Sequence, residues 1–388
     1  MKFCLAPIVL FSSLCCIDLD ITDAKLSTNI RNGQRVLKKD QVIKKGKKGN
    51  ACSGGTPDFS DMFVFGDSFS DTGNLASISA YPARSATNGK FAVEYLADEL
   101  GLELSTSFHL LAGAMGDPSL LTGNNYAVAG AGADPSSAIN GPLQVGAFLQ
   151  AKQGMAPPDA FYLIMIGSNN VNRDVFEDKY LRPENKTDAE FIQGLKPSVK
   201  SIADNLVIPL LDAGAKHIMV VDSARMGKTP YAMINQPKER GEFTEMATDR
   251  FNRFLEEEIN AIECDRNIDI GQFQRIEETL ATAIRSGLQG ETPCILGPFG
   301  ITAGDPVIPP TFGGLYDKSC VLPGADGFLY WDELHPTTAM HKIFSDLILD
   351  QVCVEFGVSM LSKKDGKKGG KKCKGKKGAG KKGKKLRA

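Results

Sequence analysis

Met62-Phe-Val-Phe-Gly-Asp-Ser-Phe-Ser-Asp-Thr-Gly-Asn74 decides how the rest of the chain is read. Met62 to Phe65 is a short, unbroken apolar run, the pattern of a strand buried on both faces. Gly66 breaks it, and Ser68 follows two residues later. A hydroxyl just past the carboxyl end of a core strand stands where open α/β sheets bind their ligands. Asp71-Thr-Gly-Asn74 then reads as a turn leading away. Alone, Gly66-Asp-Ser68 is only a turn tripeptide. What gives it weight is a distant stretch, Trp331-Asp-Glu-Leu-His-Pro336.

Working outward, Phe161 to Ile166 is a second near-continuous apolar strand, ending at Gly167-Ser-Asn-Asn170. His217 to Val221 is a third, ending at Asp222-Ser223. Helical patterns lie between and after them. Phe91 and Tyr95, and Leu96 and Leu100, are each four apart, a helical spacing, and Gly101 caps their end. Residues 188 to 213 read as one long helix, 239 to 263 as an amphipathic one carrying Phe243, Met246, Phe251, Phe254 and Ile259, and Thr337 to Phe356 as the last. Asn125-Tyr-Ala-Val-Ala-Gly-Ala-Gly-Ala133 is rich in small residues that allow close backbone approach. A Gly/Pro-rich stretch from 287 to 328 is loop-like. Apolar strands alternating with helices predict an α/β protein with a parallel sheet covered on both faces. There is no tandem repeat.

The chain has 388 residues, 42% of them apolar, enough for a sizeable core. Its formal net charge of −1 conceals a division. Residues 363–388 carry 13 Lys, one Arg and one Asp; residues 31–49 carry eight Lys/Arg against Asp40; residues 50–362 carry 21 Lys/Arg against 41 Asp/Glu. An acidic body is thus flanked by basic segments. Met1-Lys2 followed by an apolar run from Phe3 to Ile17 reads as a secretory signal peptide, and the run is short for a membrane span of ~20 residues. The expected organisation is a signal at 1–23, a basic disordered pro-segment or linker at 24–57, one catalytic-type domain at 58–358 and a disordered Lys/Gly-rich tail at 359–388. Secretion, to the extracellular space or the cell wall, makes disulfides possible. Six cysteines follow the signal, and Cys294 with Cys320, bracketing the Gly/Pro-rich loop, are the candidate pair. Asn185-Lys-Thr187 is the N-glycosylation candidate. The Lys-rich tails suit adhesion to an anionic surface or polysaccharide, or remain solvated polycations. Nucleic acid is not an expected partner for a secreted chain.

Four stretches put a polar or Gly-rich cluster beside a strand end or helix start. They hold Ser68, Gly130, Asn169 and the Asp332/His335 pair. The set suits acyl transfer, which needs an activated hydroxyl, a base with a near-neutral pKa, a group to orient that base, and donors for the oxyanion. Ser68 can supply the hydroxyl and His335 can take its proton. Asp332, three residues earlier, can hold the imidazole. The backbone N–H groups of Ser68 and Gly130 and the side-chain amide of Asn169 can donate to the oxyanion. His217 reads as structural, His109 sits in an unpatterned loop, and His341 falls on a different helix face from His335. Asp67 reads as a structural acceptor, Asp332 has a possible second role as a helix cap, and Trp331 is core or substrate wall.

These residues also carry a resemblance. Phe65-Gly-Asp-Ser-Phe-Ser-Asp-Thr-Gly-Asn74 resembles the first block of the GDSL, or SGNH, hydrolases. Asn125-Tyr-Ala-Val-Ala-Gly130 resembles their second block, Ile166-Gly-Ser-Asn169 their third and Asp332-Glu-Leu-His335 their fifth, in the family's order. Asn88-Gly-Lys90 before a helix, and Trp331 before Asp332, resemble the plant and fungal lipase/acylesterase branch. The resemblance implies a three-layer α/β/α sandwich with a flavodoxin-like, five-stranded parallel sheet. It implies Ser68 as nucleophile, His335 as base, Asp332 as orienting acid, and Ser68, Gly130 and Asn169 as the oxyanion hole, with no metal or organic cofactor. Two departures stand out: Asn170 occupies the place of a usual Asp, and Phe69 that of a usual Leu. The expected activity is a secreted serine esterase acting on short-chain or acetyl esters of carbohydrate, or on acyl lipids, as a monomer on small or polymer-linked esters. Acyl transfer to an alcohol acceptor and a non-catalytic wall-binding protein are the alternatives. The 102–124 and 287–328 loops are expected to form the acyl pocket.

Overall fold

The computed structural model describes residues 52, 55–79, 86–175, 186–234, 238–290, 293–296, 315–316 and 324–357. Residues 1–23, expected to be a signal, Asn185, Cys320 and the Lys-rich tail lie outside the described residues. Four strands, β1 (Met62–Gly66), β2 (Phe161–Met165), β3 (His217–Val221) and β4 (Gly271–Phe273), pair in parallel in the order β1-β2-β3-β4. Met62 lies opposite Phe161, and Phe161 opposite His217, so the three long strands run in step.

The apolar runs are continuous because both faces are covered. Successive side chains of a strand alternate faces. Phe63, Phe65, Tyr162 and Ile164 join one buried cluster, while Met62, Val64, Phe161, Leu163 and Met165 join the other. The first face is covered by Phe148 of α2 (Gly141–Ala151), Val199 of α4 (Lys196–Ser201) and Phe251 and Leu255 of α6 (Lys238–Arg266). The second is covered by Val93 and Leu96 of α1 (Ala92–Leu100) and by Phe344 and Ile348 of α8 (Thr338–Phe356). Each fully buried Phe, Leu or Ile contributes roughly 1.5–3 kcal/mol to this three-layer packing.

The fifth strand expected in the sheet takes an irregular form. Residues 124–128 run along the free edge of β1: Val64 N–H donates to Asn124 O at 3.1 Å, Tyr126 N–H to Val64 O at 2.8 Å and Val128 N–H to Gly66 O at 3.1 Å. The outer carbonyls of Asn125 and Ala127 both accept from Asn74 Nδ2, at 2.9 Å each. The Asn74 side chain and a short parallel pairing with residues 105–107, in which Asn125 N–H donates to Ser105 O at 2.9 Å and Ser107 N–H to Asn125 O at 3.0 Å, together finish this edge and blunt it against further pairing.

The helix expected over 188–213 is divided into α3 (Asp188–Gly194), α4, a wide π-type turn (Ile202–Val207) and α5 (Ile208–Asp212). Pro197 and Pro209 each sit in the first turn of a new segment, where a missing N–H costs nothing. Gly101 ends α1 as expected, at φ +71° with its N–H on the carbonyls of Ala97 and Asp98. The remaining labelled helix, α7 (Ile276–Arg285), follows β4. Within the Gly/Pro-rich stretch, Ile295–Leu296 pairs antiparallel with Leu315–Tyr316. Cys52, assigned from sequence to the basic linker, is disulfide-bonded to Cys353 of α8, with the Cα atoms 5.2 Å apart. Cys294 is also disulfide-bonded. Among the described residues, no helix is long and apolar enough to cross a membrane.

Candidate active site

The turn after β1 is shaped by what surrounds it. Gly66 has no room for a side chain: a Cβ there would lie 2.5 Å from Ser70 Oγ and 2.7 Å from Met165 O. Gln144 of α2 grips the same residue, accepting from Gly66 N–H at 2.9 Å and donating to Gly66 O at 2.8 Å. Asp71 then gathers the turn that follows. Its Oδ1 accepts from the N–H groups of Gly73 (2.8 Å) and Asn74 (2.7 Å), and its Oδ2 from those of Leu75 (3.2 Å) and Ala129 (2.8 Å). Burial raises this carboxyl above the ordinary range, although all four donors pull it down. Through Ala129 the turn is tied to the one that carries Gly130.

Ser68 sits at the top of this turn, almost fully buried. His335 Nε2 is 2.8 Å from Ser68 Oγ, although the two residues are 267 positions apart. His335 Nδ1 is 2.7 Å from Asp332 Oδ2. The other oxygen of Asp332 accepts from the N–H groups of Leu334 (2.8 Å) and His335 (2.7 Å). Asp332 is completely buried, so its ring-holding position is fixed by its own loop. It does not cap α8; Thr337 does, accepting from Met340 N–H. Burial by itself would lower the pKa of His335, but the Asp332 charge and hydrogen bond, helped by the Asp67 charge, outweigh it and hold the imidazole above its ordinary value. Asp67 is itself pushed up to about 6 by burial, against the pull of the Phe69 N–H and of His335. Its Oδ1 accepts from Phe69 N–H at 3.1 Å, the acceptor role read from the sequence.

Asn169 Nδ2 donates to Ala131 O at 3.0 Å, which sets its amide beside the Gly130 turn. A carboxamide has two N–H donors, so one remains for a ligand. Gly130 has φ +78°, a conformation that favours glycine. The N–H groups of Ser68 and Gly130 donate to no protein acceptor among the described residues. A hydroxyl and an oriented imidazole are thus joined at the carboxyl end of β1, with the Gly130 turn and the Asn169 amide on neighbouring segments, residue types suited to attack on a carbonyl.

The other histidines lie elsewhere. His109 Nδ1 is 2.8 Å from Ser107 Oγ, and His217 packs between Phe59 and Phe356. His341 is completely buried, and burial pushes it down to about 3. Trp331 is buried, and its N–H donates to His335 O at 2.7 Å. The Phe69 ring meets the His335 ring edge-on, centroids 5.8 Å apart. Sequence reasoning passed over Gln144, which carries no motif signal, and read Asp71 and Asn74 only as turn residues. Among the described residues, no cluster of three or more His, Cys, Asp or Glu side chains is placed to hold a metal ion.

A model of the GDSL-like lipase/acylhydrolase family matches residues 62–348. The chain is 25% identical over 308 residues to a thermolabile hemolysin of Vibrio parahaemolyticus, covering 74% of this chain and 63% of that protein. It is 25% identical over 341 residues to a GDSL esterase/lipase of Arabidopsis thaliana, covering 75% of this chain and 90% of the relative. A solved structure, phospholipase A1 from Streptomyces albidoflavus, aligns with a TM-score of 0.34 at 14% identity, over 76% of this chain and 99% of that one. Matched by the family model from its first strand into its last helix, the chain belongs to the GDSL-like lipase/acylhydrolase family of ester hydrolases.

Proposed function

We propose that this protein is a secreted serine esterase working through an acyl-serine intermediate. His335 Nε2 takes the proton of Ser68 Oγ as that oxygen bonds to the ester carbonyl carbon. The resulting oxyanion is held by the N–H groups of Ser68 and Gly130 and by the Asn169 amide, each such donor being worth roughly 10²–10³ in rate. The carbonyl re-forms, the C–O bond to the alcohol breaks, and His335 returns the proton to the departing alkoxide. Water then repeats the cycle on the acyl-serine and frees the acid. Asp332 keeps the imidazole in the tautomer that accepts at Nε2 and stabilises the imidazolium. The observation that carries the reading is the unbroken chain of contacts, 2.8 Å from Ser68 Oγ to His335 Nε2 and 2.7 Å from His335 Nδ1 to Asp332 Oδ2. Secretion is supported by the N-terminal signal pattern and by the disulfide between Cys52 and Cys353. The test is hydrolysis of p-nitrophenyl acetate. Ser68→Ala is expected to lose at least about 10³-fold in kcat. Full activity in that variant would remove Ser68 from the mechanism.

A further inference from the structure

Two cavities lie end to end beside the site. The inner one, about 60 Å³, is walled by Phe69 and Leu334, the immediate neighbours of Ser68 and His335, and by Ile276, Leu280, Met340 and Phe344. The outer one, about 450 Å³, opens at the surface between Met233, Ile284 and Leu288. Leu280, Leu329 and Tyr330 belong to both walls. One helix links the two: Ile276, Leu280 and Ile284 recur every fourth residue on α7, so they form a single stripe. Ile276 faces the inner cavity, Leu280 both and Ile284 the outer. Eight residues of helix advance about 12 Å. At the far end Ile284 and Met233 are 60% and 50% exposed, apolar side chains left in water where the stripe reaches the surface. Leu329 and Tyr330 are buried, and the Tyr330 hydroxyl donates to Lys228 O at 3.2 Å, so their side of the passage is held in place. Among the described residues, none of the 102–124 loop, expected from sequence to shape the pocket, lines either cavity, and of 287–328 Leu288 and Gly290 line the outer one and Leu329 beyond it lines both; residues 297–314 and 317–323 of that loop lie outside the described residues.

Resting on the ester-hydrolase reading above, we propose that this stripe is an acyl-chain passage, so that the substrates are esters of medium-chain fatty acids rather than acetates. The carbonyl sits at Ser68, the first methylenes pass Phe69, and the chain leaves between Leu280, Leu329 and Tyr330 toward Ile284. An apolar path from Phe69 and Leu334, the chain neighbours of Ser68 and His335, along the α7 stripe to an exposed apolar mouth selects this occupant. An acetyl group would leave the stripe without a contact, and the stripe of Ile276, Leu280 and Ile284 offers a sugar no hydrogen bond, although Asp222, Arg225 and Thr279 also border the inner cavity. The full-length protein is assayed on p-nitrophenyl acetate, octanoate and decanoate. The wild type is expected to favour octanoate over acetate in kcat/KM by about tenfold or more, since each buried methylene adds several-fold discrimination. Leu280→Trp fills the constriction and should lower octanoate turnover by about tenfold while acetate stays within about threefold. Leu280→Ala widens it and should raise decanoate relative to octanoate. The ratio of two substrates does not depend on how much of a variant folds. A wild type that prefers acetate, or an octanoate-to-acetate ratio untouched by both variants, overturns the passage. Loss of hydrolysis at every chain length even in the wild type would instead overturn the esterase reading itself, and the passage with it.

Discussion

His335 is held between two opposing influences, and its pH behaviour follows from which one wins. Burial disfavours the imidazolium; the carboxylates of Asp332 and Asp67 favour it, and the balance lies above the ordinary imidazole value. In the proposed mechanism the neutral ring is the working base, so activity should rise as pH rises through this pKa. The acidic limb of kcat/KM should therefore have its midpoint above about 6.5. Asp332→Asn removes the largest raising influence and leaves burial in place. The limb should then move to lower pH, and kcat should fall about 10³–10⁴-fold. A pH profile on p-nitrophenyl acetate checks both, and a limb that stayed put would mean that Asp332 does not set the charge of the ring. Ser68, Asp332 and His335 were all named from the sequence, because the blocks that hold them come in the order of a known family and only three other histidines compete for the role of base. Phe69 was legible as a volume change next to the nucleophile, but its edge-on contact with His335 was not, since nothing in the local sequence says which ring comes to meet it.

The departure at Asn170 is an element-scale matter, and the structure gives a reason for it. Asn170 begins the chain's path away from β2 and is completely buried. Its Oδ1 accepts from Ala133 N–H at 2.7 Å, while its Nδ2 donates to Asp134 Oδ2 (2.8 Å), Asp174 Oδ2 (3.1 Å) and Ser198 Oγ (2.9 Å). The amide thus stands between two carboxylates and joins the turn after Gly130, the end of β2 and α4. Asp at 170 would replace a donor by a third negative charge. Asn170→Asp should destabilise the fold by about 3 kcal/mol at pH 7, and by less at pH 5, where a shared proton relieves the repulsion. Urea unfolding at the two pH values measures this; equal loss at both would show that charge is not the cause. A second element-scale device is Asn88-Gly-Lys90. Asn88 Oδ1 accepts from Thr338 N–H at 2.8 Å, Thr338 Oγ1 donates to Lys90 O at 3.0 Å, and a Cβ on Gly89 would lie 2.8 Å from Thr338 Oγ1. The segment clamps the first turn of α8, just beyond His335. Sequence reading noted the triplet ahead of a helix, yet the helix it serves lies about 250 positions later.

At the scale of the whole molecule, the bond between Cys52 and Cys353 closes a loop of 301 residues around the sheet. It ties a segment that composition assigns to a basic linker onto the last helix, next to the layer packed by Phe344 and Ile348. Cross-linking so long a loop restricts the unfolded chain strongly, and its removal is expected to cost about 3–5 kcal/mol. For a body of this size Cys52→Ser should lower Tm by roughly 10 °C. A thermal scan of the variant against the oxidised wild type checks this, and an unchanged Tm would show that the bond restrains only a frayed end. Spacing in the sequence offered Cys294 with Cys320, whose second member lies outside the described residues, and gave no sign of the Cys52–Cys353 bond, because a partner 301 residues away leaves no local trace.

Apolar period and chemical type travel with the residues themselves, so the sequence alone established an α/β body with a buried parallel sheet, the identities of the chemistry-bearing side chains and their order along the chain. Only the tertiary structure decided how those side chains stand to one another. The ring of His335 against Ser68, the grip of Asn74 on the edge of the sheet, the amide of Asn170 between two carboxylates and the apolar stripe of α7 all depend on backbone paths that bring distant segments within a few ångströms. Such contacts are fixed by the packing of both sheet faces together, and no single stretch of sequence contains them.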